Sequence, residues 1–566
     1  MEKGYPRRAV EAEAALVLRA AELKTKEPHP GGTVLVLRQQ IDGALRLVGC
    51  QPAKQLRQDR FLPVRCARKG QLRQLEFIDE AQGGAINLHL RMDSGIEGTR
   101  LSPPSSQTGD GWMSSPRESC EAGPTLVEAR LPLCASTRHL RPDQGAEQPI
   151  TMRTPLGQGG KMTEDSLSAR AEAYLRRLCT GALDRRVGSP GNRAATDFFS
   201  ATIAGLGFHV DSPSFDCIDW CEGGAHISVG GTSFDVFVNP YSLGGYARGP
   251  LAVVSTLDEL ETADVGQCVV LLRGDLAREP LMPKNFPFYN PDRHQRIIAL
   301  LEVKMPQAIV GATSRNPEMA GAVYPFPLFE DGDFDIPSVT MTEEEGERLA
   351  KHSGEEISLE IRALRSPARG CNVVARRGDN RRRVVVLAHV DSKEGTPGAL
   401  DNASGVVVLL LLADLLSDYE GGLAIELVAL NGEDYYSSPG QKVYLSQNAG
   451  RFDEIILGIN LDGTGYKSGK TAYSLYGCPS ELGRMLRETL SSQRGLVEGE
   501  PWYQGDHALF LMNEVPTVAM TSERMTDVLA RVVHTPSDRP EIVDVRKLVD
   551  AALGIREVLM RLEQLT

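Results

Sequence analysis

The sequence predicts an α/β fold: a mostly parallel, mixed β-sheet covered by helices, together with a smaller, compact β-rich unit. Two observations support this prediction. After about residue 355, short apolar strands alternate with helical segments, which is typical of a layered α/β domain. Between about residues 215 and 345, short β-like runs follow one another and are separated by glycine and proline.

The composition is that of a globular protein, with 566 residues, of which 41% are apolar and 24% are charged. The longest unbroken apolar run, Val406 to Ala413, is far shorter than the roughly 18 residues that a membrane span needs. Neither Met1 nor Met162 begins a signal peptide, because no apolar core with a small-residue cleavage site comes after either one. We therefore expect no membrane partner and a cytoplasmic location.

Residues 1–161 differ from the rest of the chain in charge and pattern. They carry 23 Lys and Arg against 18 Asp and Glu, whereas residues 162–566 carry 39 against 57. Segments rich in Ser, Pro and Gly, such as Ser102–Ser119, are typical of disorder. We expect residues 1–161 to be a poorly ordered extension, or non-native sequence before a start at Met162. The acidic remainder argues against nucleic acid as a partner, because phosphate binding needs clustered Lys and Arg.

Side chains that can bind a metal come after several strands of the predicted α/β domain. In an open α/β sheet, ligands bind beyond the carboxyl ends of the strands. Three strands lead directly into such residues, one further residue precedes an apolar helix predicted at Val406–Leu416, and another lies in a late loop. In chain order these residues are His389, Asp391, Asp401, Glu433, Asp434, Asp462 and His534.

Carboxylates gathered at one edge of a sheet repel one another unless a cation neutralises them. Two histidines among several carboxylates suit a divalent metal of hard to borderline character, with zinc as the first choice. His389 and Asp391 stand two residues apart, which places both side chains on one face of a strand. There Asp391 can accept the second imidazole N–H of His389 and fix its tautomer.

Each of these residues alone also has a purely structural interpretation. Asp401 suits the start of the following helix, and Glu433 and Asp434 suit a solvated loop. Asp462 suits a turn after a strand, and His534 suits a surface position before a proline. Their occurrence together, in this order, favours a metal site.

The blocks AHVDS, GALDNASGV, LNGED, INLDG and HTPSD, in this order, resemble the metal-ligand blocks of the M28 family of binuclear zinc peptidases, which includes aminopeptidases and carboxypeptidases. The resemblance implies a three-layer α/β/α zinc-exopeptidase domain over residues 162–215 and 346–566. Residues 216–345 resemble the β-rich protease-associated (PA) domain that several members carry as an insertion. The family also has a cis peptide after the bridging aspartate, which is the bond Asp401–Asn402 in this chain.

The resemblance implies a role for each candidate ligand. Asp401 is implied to bridge two zinc ions. One ion is also held by His389 and Asp462, and the other by Asp434 and His534. Co²⁺ and Mn²⁺ are alternative metals for these sites.

The resemblance also implies the reaction. Glu433 is the general base for a water molecule between the two metals, and Asp391 is the partner of His389. The substrates are peptides, and an acidic site attracts a free α-amino group, so the resemblance favours an aminopeptidase. The segment YQGDHALF resembles a family segment near the substrate pocket, which makes Asp506 and His507 candidate substrate-binding residues.

Two positions depart from the family pattern. Asp434 stands where the family usually has Glu, so the carboxylate is shorter by one methylene. Val533 stands where some members have a Tyr that donates to the oxyanion. That contribution must then come from a metal or from another group.

Three other interpretations stay open. A carboxypeptidase needs a basic pocket, for which Lys467, Arg524 and Arg531 are candidates. A non-catalytic binding protein on the same fold would have lost metal ligands, and a cyclotransferase relative would use a single zinc. The presence of all five ligand positions argues against the last two. The sequence also leaves open whether the chain forms a homo-oligomer.

Overall fold

The computed structural model describes residues 163–181, 184–502 and 504–565, together with seven strands in the preceding part of the chain. The chain divides into two compact units, Met1–Asp143 and Gln144–Thr566. Apart from those seven strands, the extension expected at residues 1–161 lies outside the described residues and stays a prediction. Tyr503 of the YQGDHALF segment lies outside them as well.

The described part of the first unit consists of short antiparallel strands. They are β1 (Ala15–Arg19), β2 (Thr33–Gln39), β3 (Leu45–Pro52), β4 (Phe61–Arg65), β5 (Leu75–Gln82), β6 (Ala85–Met92) and β7 (Thr125–Leu131). Strand β1 pairs with β4 and β2 pairs with β3, while β6 lies between β5 and β7.

The second unit combines strands and helices. Its strands are β8 (His209–Asp211), β9 (Ser214–Val229), β10 (Thr232–Phe234), β11 (Phe237–Val238), β12 (Gly245–Val254), β13 (Val269–Leu272), β14 (Ala308–Thr313), β15 (Ser338–Thr342), β16 (Glu356–Cys371), β17 (Val373–Arg377), β18 (Arg383–His389), β19 (Ala424–Leu430), β20 (Ile455–Leu461), β21 (Thr471–Tyr476), β22 (Leu496–Glu498) and β23 (Thr517–Ser522). Its helices are α1 (Glu164–Arg176), α2 (Pro190–Gly205), α3 (Leu257–Thr262), α4 (Asp292–Lys304), α5 (Glu343–Ala350), α6 (Ser404–Leu415), α7 (Pro439–Gln447), α8 (Ser480–Leu490), α9 (Ala508–Leu511), α10 (Met525–Arg531) and α11 (Val545–Leu565). Among the described residues, no helix has both the length and the apolar character that a membrane crossing requires.

One eight-stranded sheet, called here the catalytic sheet, forms the centre of the α/β domain. Its strand order is β22-β21-β23-β20-β18-β19-β17-β8. The central strands β19, β18, β20 and β23 run parallel, and antiparallel pairs lie on both sides of them. The predicted mixed, mostly parallel sheet is confirmed.

Helices cover both faces of the catalytic sheet. Side chains of α1, α2, α6, α8 and α11 pack with one face in the largest apolar core. Side chains of α7 and α9 pack on the other face. Helix α6 lies between the sheet and the outer helices α1 and α11, which explains why it has no polar face. This is the three-layer α/β/α arrangement that the family resemblance implies.

A second eight-stranded sheet forms the inserted unit, with the order β10-β9-β16-β12-β13-β14-β15-β11. Alternate residues of β13 belong to two separate apolar cores, so both faces of this sheet are covered. The sheet extends past residue 345, where the sequence places its end. The segment ISLEI, which the sequence pattern assigns to the α/β domain, belongs to β16 and pairs with β9 and β12 instead.

Candidate metal centre

The predicted ligands come together at the carboxyl edge of the catalytic sheet. Strand β18 ends at His389, which pairs in parallel register with the last residue of β19. Glu433 and Asp434 come after β19 with two residues between, and Asp462 directly follows β20. Because these strands are parallel neighbours, their ends bring the four side chains to one edge.

Asp401 lies in an irregular turn, Ala399–Ala403, that leads into α6. Its peptide bond to Asn402 is cis, as the family resemblance implies. The Nδ2 of Asn402 donates to the carbonyl oxygen of Leu461 at 2.7 Å, and its Oδ1 accepts the N–H of Gly405 at 3.0 Å. These bonds connect the turn to the end of β20 and to the start of α6, which fixes the position of Asp401.

The two carboxylate oxygens of Asp401 face different histidines. Oδ1 lies 3.1 Å from Nε2 of His389, and Oδ2 lies 3.2 Å from Nε2 of His534. Oδ1 of Asp462 lies 3.7 Å from the same His389 nitrogen, and Oδ1 of Asp434 lies 3.0 Å from that of His534. Two groups of three side chains therefore share Asp401.

The donor atoms of these groups suit a metal ion. Within each group of three, the nitrogen and oxygen atoms all lie within 4.8 Å of one another. Among the described residues, Nε2 of His389 and Oδ2 of Asp434 are buried and make no hydrogen bond. Buried polar atoms without a hydrogen bond are costly, and a bound cation would account for both. Imidazole nitrogens and carboxylate oxygens are ligands that zinc accepts.

The pKa values of the cluster indicate the same requirement for positive charge. Burial opposes protonation of His389, but the carboxylates of Asp401 and Asp462 raise its pKa well above the ordinary 6.5. Partial desolvation also opposes protonation of His534, whose side chain is 37% exposed, but the carboxylates of Asp434 and Asp401 raise its pKa well above 6.5. Although burial opposes ionisation of Asp401, the two imidazoles lower the pKa of its carboxyl. The carboxylates are thus stabilised by cationic partners, as they would be by a metal ion.

Glu433 lies beside the two groups, close to His389 and Asp434, and is half-buried. Burial raises the pKa of its carboxyl well above 4.5. His389 opposes this shift, whereas the carboxylates of Asp434, Asp462 and Asp506 add to it. A carboxyl with a raised pKa can take up and release a proton closer to neutral pH, which a general base requires.

Asp391 differs from its predicted arrangement. Its carboxylate lies 3.8 Å from Nδ1 of His389, and the backbone carbonyl oxygen of Asp391 lies closer to this nitrogen, at 3.3 Å. The carboxylate instead accepts the N–H groups of Gly432 at 2.7 Å and Asp434 at 3.0 Å. Strand β18 ends at His389, so the alternation on which the prediction depends stops there. Asp391 therefore holds the segment that carries Glu433.

Asp506 and His507 directly precede α9 and are both buried. Oδ1 of Asp506 accepts a hydrogen bond from Gln441 at 2.9 Å, and burial raises the pKa of this carboxyl to about 7. The charge of Asp506 raises the pKa of Glu433, which indicates that Asp506 faces the site. Nε2 of His507 lies 2.9 Å from the carbonyl oxygen of Trp502.

The two departures from the family pattern also have a visible structural setting. Asp434 reaches His534 at 3.0 Å even with its shorter side chain. Val533 packs in a small apolar cluster with Leu400 and Val528. Its side chain has no N–H or O–H to donate to an oxyanion.

Two buried residues that hold the site have no role in the sequence-based prediction. The carboxylate of Asp538 accepts the N–H groups of Leu400 at 2.6 Å and Asp401 at 3.0 Å. The guanidinium of Arg185 donates to four carbonyl oxygens, three of them between residues 390 and 398. Asp538 stands in the HTPSD block, which is the available signal for it, whereas no local pattern marks Arg185.

Comparison with known proteins shows which family this part of the chain is similar to. A sequence model of peptidase family M28 matches residues 372–559. The chain is 25% identical to the probable lipoprotein aminopeptidase LpqL of Mycobacterium tuberculosis, over 49% of this chain and 54% of that protein. It is 27% identical to the aminopeptidase YwaD of Bacillus subtilis, over 38% of this chain and 49% of that protein. The chain thus spans about half the length of the curated relatives it matches.

Solved structures share the fold. An aminopeptidase from Aneurinibacillus sp. strain AM-1 has a TM-score of 0.56 at 19% identity, over 70% of this chain and 93% of that chain. BSAP, a zinc aminopeptidase from Bacillus subtilis, has a TM-score of 0.53 at 19% identity, over 70% of this chain and 95% of that chain. These similarities establish the fold, and the matched residues 372–559 contain every candidate ligand. The similarity to peptidase family M28 is carried by the domain at residues 372–559.

Proposed function

We propose that this chain is a zinc-dependent exopeptidase, and specifically an aminopeptidase that hydrolyses N-terminal residues of peptides. The observation that carries the proposal is the division of the Asp401 carboxylate between His389 and His534. One carboxylate between two ligand groups suits a pair of metal ions. The match to peptidase family M28 and the aminopeptidases among the relatives support the proposal.

In this proposal, one zinc ion would be held by His389, Asp401 and Asp462, and the second by Asp401, Asp434 and His534. Bound ions would supply Lewis acidity towards the substrate carbonyl and positive charge for the oxyanion. The two backbone hydrogen bonds to Asp538 and the side-chain hydrogen bonds of Asn402 keep the shared carboxylate in place. Co²⁺ or Mn²⁺ can take the same nitrogen and oxygen donors.

Glu433 would act as the general base. It would take a proton from the water molecule whose oxygen forms the new bond to the peptide carbonyl carbon. It would then give this proton to the amine nitrogen as the carbon–nitrogen bond breaks. The raised pKa of the Glu433 carboxyl supports both transfers.

The charge around the base favours a free amino terminus over a free carboxylate. Glu433, Asp462 and Asp506 gather negative charge that attracts an ammonium group. Of the three cations considered for a basic pocket, Arg524 is paired with Asp527 at 3.1 Å. Lys393, whose pKa the charges of Glu433 and Asp434 raise, is paired with Glu330 at 2.6 Å. The aminopeptidase therefore takes precedence over the carboxypeptidase.

The inserted unit is proposed to be a PA-like domain within the peptidase domain. Its separate sheet and its two apolar cores support this division. The strand β16 moves the end of the insertion to about residue 371 in this proposal, later than the 345 that the sequence indicates.

Metal analysis paired with a substrate panel tests the proposed function. We expect about two zinc ions per chain, and cleavage of aminoacyl-anilides and unblocked peptides but not of N-blocked peptides. Cleavage of the N-blocked peptides alone would overturn the aminopeptidase assignment. A metal-free protein that cleaves the unblocked peptides at an undiminished rate would overturn the zinc assignment.

A further inference from the structure

The segment that carries Glu433 continues into Tyr435, which contacts the inserted unit. The Tyr435 side chain is buried, and its hydroxyl accepts the N–H of Ile218 in β9. The same hydroxyl donates to the carbonyl oxygen of Ile218 at 3.0 Å. The N–H and the C=O of one strand residue point to the same side, so a single hydroxyl can bind both.

Among the described residues, no strand pairs with β9 at Ile218 on the side away from β16. The register partner of Ile218 in β16 is Pro367, which has no N–H to donate. On the other side of β9, strand β10 pairs only with residues 227–229. Tyr435 therefore provides the hydrogen bonds that a neighbouring strand would otherwise provide.

Aromatic rings from the inserted unit and from the α/β domain pack against the Tyr435 ring. Its centroid lies 5.4 Å from that of Tyr241 and 4.4 Å from that of Tyr436, and Tyr241 lies 5.7 Å from Trp220. Trp220 and Tyr241 belong to the inserted unit, and the four rings are called here the aromatic cluster. Since the ring is held by packing, loss of the hydroxyl alone leaves it in place.

The Glu433 segment has a second attachment point, the carboxylate of Asp391. It accepts the N–H groups of Gly432 and Asp434, the residues before and after Glu433. Gly432 has a φ of 128°, a conformation that favours glycine. The base is thus held from the catalytic sheet through Asp391 and from the inserted unit through Tyr435.

We propose that Tyr435 is a positioning residue for Glu433, and that the inserted unit thereby forms a functional part of the active site. The inference rests on the proposed function of Glu433 as general base. A base must lie within hydrogen-bond reach of the proton it takes, and a displacement of about 1 Å can cost about 100-fold in rate. The hydroxyl of Tyr435 binds the backbone of Ile218 and so fixes the position of the segment that carries Glu433.

The variant Tyr435→Phe removes the two hydrogen bonds and keeps the ring. We expect kcat to fall about 10- to 100-fold, with KM and zinc content within about twofold of the wild type. The matched control is Tyr444→Phe, because Tyr444 is equally buried. Its hydroxyl donates a 3.0 Å hydrogen bond to Glu426, which lies within strand β19 and not in the Glu433 segment. The control should keep the wild-type kcat even where it lowers Tm as much as Tyr435→Phe.

A reciprocal variant approaches the same contact from the inserted unit. Ile218→Pro removes the N–H that the Tyr435 hydroxyl accepts, and because this N–H points to Tyr435, β16 loses no hydrogen bond from it. We expect a smaller fall in kcat, about 3- to 30-fold, again without loss of zinc. A wild-type kcat in both variants would overturn the inference.

Hydrogen–deuterium exchange of the metal-free protein tests the inference without any activity. Peptides that cover residues 431–438 should exchange about tenfold faster in Tyr435→Phe than in the wild type or in Tyr444→Phe. Unchanged exchange would overturn the inference even if kcat fell. If the wild-type protein cleaves no peptide, the proposed function fails, while the exchange result still decides whether Tyr435 fixes this segment.

A double variant separates positioning from general stability. If Tyr435 acts through Glu433, then Tyr435→Phe should add less than about a twofold loss to the residual rate of Glu433→Gln. A full 10- to 100-fold additional loss in that background would show that Tyr435 acts by another route and would overturn the inference.

Discussion

The two eight-stranded sheets have similar parallel centres but differ in the residues that succeed their strands. In the catalytic sheet, the parallel strands lead into His389, the Glu433 segment and Asp462. In the inserted sheet, β12, β13 and β14 are also parallel. There, β13 leads into Arg273, which pairs with Glu347 of a nearby helix. A parallel sheet edge thus provides a place for chemistry, and the residues after each strand decide whether any occurs there.

The two regions also differ in the solvent exposure of their charged side chains. Pairs in the inserted unit face solvent, as in Arg296–Glu261 at 2.9 Å and Arg293–Asp275 at 2.6 Å. The edge of the catalytic sheet instead gathers carboxylates that are buried. Like charges in a poorly solvated site destabilise one another, so this edge depends on added positive charge and the inserted unit does not. Matched substitutions in the two regions test this contrast.

The largest expected effect belongs to Glu433→Gln. The amide has nearly the same shape but takes up no proton, so kcat should fall about 1,000-fold while zinc content stays at the wild-type level. The matched variant in the inserted unit is Glu356→Gln, which removes an exposed carboxylate paired with Arg248. It should leave kcat within about twofold. Steady-state kinetics and metal analysis measure both, and similar losses in the two variants would contradict the contrast.

The next effect is that of Asp401→Asn on metal binding. Asparagine keeps only one of the two side-chain oxygens, and its amide nitrogen is no zinc ligand. Only one of the two ligand groups therefore keeps its shared ligand, and zinc should fall from about two ions per chain to about one or fewer. Asp414→Asn is the control, because Asp414 is a buried carboxylate that pairs with Arg170 outside the cluster. It should keep its zinc. Two zinc ions in Asp401→Asn would contradict the shared-carboxylate assignment.

A smaller effect is expected in the pH dependence of the stabilisation that zinc gives. In metal-free protein, His389 and His534 have pKa values above 6.5, so their stabilising contribution is complete below pH 6.5 and is lost as the pH rises through the raised values. Zinc binds neutral imidazole, so its affinity rises with pH. The Tm difference between zinc-loaded and chelator-treated protein should therefore grow from about pH 6 to about pH 8. A difference that shrinks over this range in thermal scans would contradict the ligand assignment.

The sequence predicts the layers of the fold because they depend on local patterns. The apolar helix expected at Val406–Leu416 is α6, Ser404–Leu415, and the strands before it have the apolar runs of a buried parallel sheet. The partner of β16 could not be predicted in the same way. An apolar strand such as ISLEI fits either sheet, and only pairing with the distant β9 and β12 assigns it.

The candidate site shows the same division. His389, Asp401 and Asp462 could be predicted because parallel strand ends meet at one edge and because the motif order is distinctive. The contacts of Asp391 could not, since its carboxylate binds backbone N–H groups more than 40 residues away along the chain. The same reason hides Arg185, whose partners are carbonyl oxygens of a distant loop.

The smallest expected effect is that of an exposed ion pair in the inserted unit. The side chains of Arg296 and Glu261 are 55% and 40% exposed, so water screens their attraction. Arg296→Ala should change the free energy of unfolding by less than about 0.5 kcal/mol. At the catalytic edge, Arg185→Lys leaves buried carbonyl oxygens without their donors and should cost about 2 to 4 kcal/mol. Chemical denaturation measures the free energy of unfolding of both variants. An equally large loss in Arg296→Ala and Arg185→Lys would contradict the contrast, because exposed charges would then stabilise the inserted unit as strongly as buried ones stabilise the catalytic edge.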